Sequence, residues 1–432
     1  MTNFQINSNF QFYKLRNGVR VVLVPMEGVE STAVGVFVET GSRYETAKIN
    51  GISHFLEHMV FKGTKKFPTH RDTSYLEGLG AIQNAWTDVD ATAYWCKIPA
   101  DKWKEGLDLV KDLVLYPTFP PKDLEIERGV ILEEINRRED RPDEIVEEEV
   151  LALMYGDNSL AMTVLGESGV IKSVRRDDFA AYHDSQYVAG RIVVALAGKL
   201  ESAECKKQIE EWFGGLQADR GREFVRWEGL QKEPRVRIRH KDLAAQAHVD
   251  LSVFGYTLSD PRRFALALLT TYLGQGLSSR LFLELREKRG LCYAVSAGTM
   301  KLPDTGTFGV YAGLNVGKLE EAIKAILEEL VRVKLQRLND EELATAKEKV
   351  RGPTLFSAEN PVNVMNYYAK QALDRPEEIL SYEQAIERVM QIDAEEVQKV
   401  AQSIFLTQGL NLAIVGPVEE NRKEELLNLM KF

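Results

Sequence analysis

A pattern of two helices separated by a short break occurs once in each half of the chain. The first copy is GLDLVKDLVLYPTFPPKDLEIERGVI (106–131), and the second is AIKAILEELVRVKLQRLNDEELATAKEKV (322–350). Each copy has an amphipathic first helix and a second helix that begins with acidic residues, and strand-like segments precede both copies. The pattern therefore predicts a diverged duplication of an α+β unit of about 210 residues.

The predicted elements around this pattern are mostly strands. Asn17-Gly18 predicts a hairpin turn, and further strands are predicted at 31–42, 80–99, 190–198, 235–242, 247–256, 291–300, 306–315 and 410–417. A helix is predicted over 51–62 and others at 101–115, 121–138, 143–155, 202–216, 261–273, 277–290, 317–333 and 340–350. We expect an α+β fold of two homologous domains, each a mostly antiparallel sheet with helices on one side. The predicted domains are 1–216 and 235–432, joined by the charged, apolar-poor linker 217–234.

Composition narrows the class of protein. The 432 residues include 55 Lys and Arg against 65 Asp and Glu, a net charge of −10 that disfavours nucleic acid and anionic lipid as partners. No segment approaches the ~20 consecutive apolar residues of a membrane helix. The first residues show no secretory signal, and the three scattered cysteines fit a reducing compartment. We therefore expect a cytoplasmic protein.

The segment GISHFLEHMVFKGT (51–64) contains the best candidate for chemistry. His54 and His58 are four residues apart, so on a helix both imidazoles lie on one face, and Glu57 lies at its edge. His-x-x-Glu-His is the motif of inverted zinc peptidases, in which a glutamate beside the metal acts as general base. Taken alone, the pattern is a weak signal for metal and more often marks two histidines on an ordinary helix, one of them hydrogen-bonded in the core.

A second segment resolves that ambiguity by resemblance. FLEHMVFKGT, followed by ERGVILEEI (127–135), resembles the pitrilysin family, and within it the mitochondrial-processing-peptidase-like group. The resemblance implies one Zn²⁺ per chain, with a third ligand about 75 residues after the second histidine. Glu134 lies 76 residues after His58, with Glu133 as the alternative if the register slips by one. The resemblance also implies that Glu127 is an outer-shell group on the same helix face.

The same resemblance implies residues that contact the substrate. LGAIQNAWTDVDATAYW resembles the family strand that runs beside the zinc and pairs with an extended peptide, which places Asn84 and Ala85 nearest the substrate. RLFLELREKRGLCYAVSAG resembles the family's arginine–tyrosine signature, here Arg286 and Tyr293. Without the resemblance, Arg286 is a solvated surface residue. Within it, Arg286 clamps the peptide backbone and Tyr293 donates to the oxyanion.

The resemblance also implies different roles for the two predicted domains. Domain 1–216 is expected to be the catalytic, zinc-binding domain, and 235–432 the non-catalytic domain that contributes substrate contacts. The chain resembles half of a clamshell, so we expect a homodimer in which Arg286 and Tyr293 act at the zinc of the opposite subunit. The expected function is a zinc-dependent endopeptidase that hydrolyses short or unfolded peptides in a closed chamber. The alternative is a non-catalytic or partner-dependent subunit of a processing-peptidase-like complex.

Overall fold

The computed structural model describes residues 10–242, 244 and 246–432. The expectation of no secretory signal rests partly on residues 1–9, which lie outside the described residues. The described chain forms two compact units that do not follow chain order. Unit 1 comprises residues through Asn136, Met162–Val225 and Thr354–Gln384, and unit 2 comprises Arg137–Ala161, Arg226–Pro353 and Ala385–Phe432. In the described part of the chain, no helix is both long enough and apolar enough to cross a membrane.

The strands form one sheet in each unit. Their bounds are β1 Gln11–Lys14, β2 Arg20–Pro25, β3 Ser31–Val38, β4 Ile82–Thr87, β5 Thr92–Pro99, β6 Ile192–Gly198, β7 Arg235–His240, β8 Ala247–Phe254, β9 Cys292–Lys301, β10 Gly306–Leu314 and β11 Asn411–Gly416. The sheet of unit 1 has the order β1-β2-β6-β3-β5-β4, and that of unit 2 has the order β7-β11-β8-β10-β9. Except for β1, the two orders match strand for strand. The match extends to the single parallel pair in each sheet, β2–β6 and β7–β11. The predicted duplication of a mostly antiparallel α+β unit is confirmed.

Helices account for most of the remaining chain. Their bounds are α1 Ile52–Val60, α2 His70–Thr73, α3 Trp103–Leu115, α4 Pro121–Glu139, α5 Pro142–Tyr155, α6 Ser168–Ser173, α7 Arg176–Gln186, α8 Ser202–Phe213, α9 Arg263–Gly274, α10 Leu319–Leu335, α11 Asp340–Ser357, α12 Pro361–Asp374, α13 Tyr382–Gln391, α14 Ala394–Ile404 and α15 Lys423–Leu429. The predicted helix 277–290 is present as a shorter π-type helix, Phe282–Lys288. The sequence patterns did not predict α2, α6, α7 and α12–α15.

The prediction of helices on one side of each sheet is wrong for unit 1. Successive side chains of a strand point to opposite faces, and β3 sends Val34 and Val36 into one core and Ala33 and Phe37 into another. The first core contains α1, α3 and α7, whereas the second is closed by α12. Because both faces of the central strands are covered, their apolar runs are continuous rather than alternating.

Residue 225 marks the change from unit 1 to unit 2 and lies inside the predicted linker 217–234. The first part of this segment packs on unit 1, where Arg191 donates to the carbonyls of Arg220 and Arg222. The second part packs on unit 2, where the backbone N–H of Trp227 donates to Asp304 Oδ2 at 2.8 Å. The predicted linker therefore has no helix or strand yet is held by specific contacts. The exchange of 137–161 and 354–384 between chain halves was not predicted.

Candidate metal centre

Helix α1 carries the histidine motif, and its sequence explains its orientation. Ile52, Phe55, Leu56 and Met59 are buried in the core of unit 1, which turns the face with His54 and His58 away from that core. Gly51 precedes the helix with a positive φ of 91°, a conformation that a residue with a Cβ adopts only under strain.

A buried carboxylate fixes the N-terminus of α1. Glu45 Oε2 accepts hydrogen bonds from the N–H of Gly51 at 2.7 Å and from Asn50 Nδ2 at 2.9 Å, and Oε1 accepts from the N–H of Ser53 at 2.8 Å. The first N–H groups of a helix have no partner inside the helix, so Glu45 satisfies two of them from outside. Ser53 Oγ is also hydrogen-bonded to Tyr182 on α7 at 2.7 Å. These contacts hold the first turn, which positions His54.

Helix α4 brings the third predicted ligand to the histidines. Glu134 Oε2 lies 3.7 Å from His54 Nε2 and 3.8 Å from His58 Nε2. Among the described residues, His54, His58 and Glu134 are the group of three whose ligand atoms all lie within 4.8 Å of one another. Glu133, the alternative ligand, is exposed and does not belong to this group.

The donor set fits a zinc ion. Ligand atoms held about 2.0–2.2 Å from a tetrahedral Zn²⁺ are about 3.3–3.6 Å apart. Glu134 Oε2 lies at 3.7 and 3.8 Å from the two imidazole nitrogens, which is close to that spacing. Two imidazoles and one carboxylate leave a fourth position for water or substrate, which is typical of catalytic rather than structural zinc. Burial and the neighbouring His58 lower the pKa of His54 to about 4, so this imidazole is neutral and available as a ligand near pH 7.

Glu127, the predicted outer-shell residue, lies beside the His58 ring. Its Oε2 lies 3.1 Å from His58 Nδ1, and its Oε1 lies 2.6 Å from Lys62 Nζ. Burial alone would raise the pKa of Glu127, but the contacts with His58 and Lys62 outweigh burial and lower it. An ionised carboxylate on Nδ1 fixes the imidazole orientation and leaves Nε2 free to face the metal. His54 has no such support, since its Nδ1 is buried without a hydrogen-bond partner among the described residues.

Glu57 lies between the metal centre and strand β4. Thr87 Oγ1 donates a hydrogen bond to Glu57 Oε2 at 2.6 Å. Burial raises the pKa of Glu57, while the Thr87 hydrogen bond opposes that rise. A carboxylate with a raised pKa is a better proton acceptor near neutral pH, which suits a general base.

Strand β4 lies at the edge of its sheet and pairs with β5 alone. Asn84 is exposed, Ala85 is half-buried, and Asn84 Oδ1 accepts a hydrogen bond from the N–H of Ala85 at 2.8 Å. The Asn84 side chain thus accepts a hydrogen bond from a backbone N–H that has no partner on a neighbouring strand. An extended peptide could replace that contact by pairing with the edge.

Arg286 and Tyr293 lie near one another in unit 2. The guanidinium carbon of Arg286 is 5.5 Å from the centre of the Tyr293 ring and 4.8 Å from that of Phe282. Tyr293 is 71% exposed on β9, the edge strand of its sheet and the counterpart of β4. The pair is therefore available for contact, although neither residue belongs to the unit that carries His54, His58 and Glu134.

Sequence reasoning missed three residues of this site. Thr87 contacts Glu57, Lys62 contacts Glu127, and Glu45 contacts the first turn of α1. None of the three was predicted to belong to the site. Thr87 lies in the strand segment LGAIQNAWTDVDATAYW and Lys62 in the helix segment FLEHMVFKGT, so both lie in segments that resemble the family. Glu45 had no such signal, because its role depends on a loop that folds back onto α1.

Comparisons with known proteins agree with this geometry. The sequence profile of insulinase (peptidase family M16) matches residues 20–168, and that of the peptidase M16 inactive domain matches residues 173–350. An uncharacterized zinc protease of Bacillus subtilis is 32% identical over 411 residues, which cover 94% of this chain and 98% of that protein. The chain belongs to peptidase family M16. An uncharacterized zinc protease of Streptomyces coelicolor is 33% identical over 423 residues, covering 95% of this chain and 90% of that one.

Solved structures of the M16 fold also resemble this chain. A protease from Helicobacter pylori superposes with a TM-score of 0.89 at 23% identity, covering 94% of this chain and 99% of that one. A peptidase M16 inactive domain from Pseudomonas fluorescens gives a TM-score of 0.86 at 20% identity, covering 95% and 98%. The predicted family and fold class are confirmed. The narrower processing-peptidase-like group stays a prediction.

Proposed function

We propose that this M16 chain is a zinc-dependent endopeptidase that hydrolyses short or unfolded peptides. The observation that carries the proposal is the convergence of His54, His58 and Glu134, whose ligand atoms all lie within 4.8 Å of one another. A purely structural helix would have no need for two half-buried imidazoles facing a carboxylate. The full ligand set also argues against the non-catalytic subunit.

The residues divide the chemistry among themselves. His54, His58 and Glu134 would hold the zinc ion. Zinc bound there would supply a Lewis acid that activates water and polarises the scissile carbonyl. Glu57 accepts the proton of the attacking water and returns it to the departing amine. Glu127 keeps the His58 ring in the orientation that binds metal.

The free edge of β4 and the pair Arg286–Tyr293 would handle the substrate. Backbone pairing at β4 places an extended peptide beside α1 and tolerates many side chains, because main-chain groups make the contacts. Tyr293 would donate to the oxyanion and Arg286 to a backbone carbonyl of the peptide. We propose that both act across the interface of a homodimer, whose closed chamber admits unfolded peptides and excludes folded proteins.

Hydrolysis of an internally quenched, unstructured peptide tests the proposal. Zinc-loaded wild type should cleave it, and Glu57→Gln should bind zinc equally but lose about 10²- to 10⁴-fold in kcat. The matched control is Glu133→Gln, an exposed carboxylate one residue from a proposed ligand, which should leave both zinc and turnover unchanged. Substantial turnover by pure Glu57→Gln would remove its role as base. A zinc-loaded wild type that cleaves nothing would favour the partner-dependent subunit.

A further inference from the structure

Thr87 is the single described residue that hydrogen-bonds the carboxylate of Glu57. The 2.6 Å contact joins the last residue of β4 to the face of α1 that carries the metal motif. It engages Oε2 alone, so Oε1 stays available to a water molecule. Glu57 has three rotatable side-chain bonds, and a carboxylate that must meet one water molecule gains from having them fixed.

The position of Thr87 is itself well fixed. Thr87 pairs with Thr92 on β5, and the adjoining turn is closed by the N–H of Asp88, which donates to the Ala91 carbonyl at 2.8 Å. Thr92 Oγ1 in turn donates to the Thr40 carbonyl at 2.9 Å. A β-branched side chain in a strand has restricted χ1, so the hydroxyl points in one direction. The donor is therefore more rigid than the acceptor it holds.

Strand alternation explains why this residue reaches the base. Ala85 packs against the core that contains α1, whereas Trp86 packs against the core on the other face. Thr87, two residues after Ala85, points the same way as Ala85. The strand that offers its edge to substrate thus also holds Glu57.

We propose that Thr87 is a positioning residue that fixes the Glu57 carboxylate through its hydroxyl, an inference that rests on the proposed function. The hydrogen bond serves both halves of the proton cycle. Ionised Glu57 accepts from Thr87 on Oε2, and after Oε1 has taken a proton, Oε2 remains an acceptor. The carboxyl group therefore keeps one orientation while it receives the proton of water and passes it to the amine.

Three substitutions separate the hydroxyl from the volume of the side chain. Thr87→Val keeps the shape and removes the donor, Thr87→Ser keeps the donor and removes a methyl group, and Thr87→Ala removes both. We expect Thr87→Val to lower kcat about 10- to 100-fold, as misplacement of a catalytic group by about 1 Å does, with KM within about threefold of wild type. Thr87→Ser should stay within about threefold of wild type in kcat. All three variants should bind one zinc per chain.

A readout that does not depend on turnover completes the test. Crystal structures of zinc-loaded wild type and Thr87→Val should show one Glu57 rotamer in the first and a displaced or multiple-conformer carboxylate in the second. Full kcat in Thr87→Val, or equal loss in Thr87→Val and Thr87→Ser, would overturn the proposal, because the second result would mean that packing matters instead. If wild type holds Glu57 on Thr87 but cleaves no peptide, the proposed function fails while the positioning contact stands.

Discussion

At the scale of single residues, the choice between Glu134 and Glu133 decides the metal site. Adjacent helix residues point about 100° apart, so only one of them can face His54 and His58. Glu134 lies under 4 Å from both imidazoles, and Glu133 is exposed. We predict that Glu134→Gln lowers zinc affinity by at least about tenfold while Glu133→Gln leaves it unchanged. Competition with a fluorescent zinc chelator measures both. The reverse ranking would shift the ligand register by one residue.

Asp250 on β8 gives unit 2 a pH-dependent stability. The residue is 7% exposed, and burial with the nearby Glu147 raises its pKa to about 7, against a lowering hydrogen bond from Ser252. Because the folded pKa exceeds the unfolded value of about 4, the folded chain holds a proton that the unfolded chain releases. The contribution of Asp250 to stability is therefore fully present below pH ~4 and is lost as the pH rises through about 7.

The substitution Asp250→Asn tests this dependence. The amide cannot ionise, so the variant escapes the cost of a buried charge at high pH. We predict that the melting temperature of Asp250→Asn, relative to wild type, rises by roughly 5 °C between pH 5 and pH 8. Asp157→Asn, which removes an exposed carboxylate of unit 2, is the control and should show no such trend. Parallel pH profiles for wild type and Asp250→Asn would mean that Asp250 stays ionised in the fold.

At the scale of elements, the register of the hairpin β4–β5 determines which backbone groups of β4 are free to pair with a peptide substrate. The N–H of Asp88 donates to the Ala91 carbonyl, and hydrogen-bonded rungs alternate along an antiparallel pair. Trp86 and Ala93 therefore form the next hydrogen-bonded rung, and the N–H of Ala85 points to the free edge, where Asn84 Oδ1 now accepts it. The edge offers donors and acceptors at every second residue.

N-methylation of the substrate tests strand pairing at that edge. A peptide paired with β4 uses every second amide, so methylation at one set of alternating positions should raise KM at least about tenfold, and methylation at the other set should not. Steady-state kinetics on a series of singly methylated peptides gives the result. A uniform effect along the peptide, or none, would contradict recognition by an edge strand.

The elements also show where sequence patterns stop. Helix α1 and the five strands from β2 to β6 in chain order could be predicted, because periodicity and turn residues are local signals. Helix α12 could not, because Val364 and Met365 are buried against the second face of a sheet whose strands lie far away in sequence. The strand segments themselves do not show which distant segment covers their second face. In the site, the spacing of the family motif located Glu134. The hydrogen bond from Thr87 to Glu57 could not be predicted, because it depends on the register of β4 in its sheet.

At the scale of the whole molecule, each unit contains a segment from the other half of the chain. Arg20 of β2 donates to the carbonyls of Ala372 and Leu373 on α12, at 3.2 and 3.0 Å. The half-buried Lys370 of α12 forms an ion pair with the buried Asp90 at 2.6 Å. Separating α12 from the sheet would leave the buried groups of Arg20 and Asp90 without these partners, which would destabilise unit 1. A chain cut between residues 225 and 226 would therefore leave each unit without a segment that completes it.

Dimers of two different mutant chains can test whether Arg286 and Tyr293 act at the zinc of the opposite subunit. If Arg286 and Tyr293 act at the opposite subunit's zinc, each active site draws Glu57 from one chain and Tyr293 from the other. Glu57→Gln and Tyr293→Phe homodimers should both be impaired. A hybrid of the two chains would contain one site with both substitutions and one site with neither.

We therefore predict that co-expressed Glu57→Gln and Tyr293→Phe chains, purified as the hybrid through two different affinity tags, recover about half the wild-type kcat per dimer. Complementation requires that the two defects fall in different sites, which only action in trans allows. If both residues serve the same subunit's zinc, every site in the hybrid carries a defect and activity stays at the level of the impaired homodimers. Gel filtration of the same samples checks that the hybrid is a dimer. No wild-type chain is expressed, so the recovered activity cannot come from wild-type dimers.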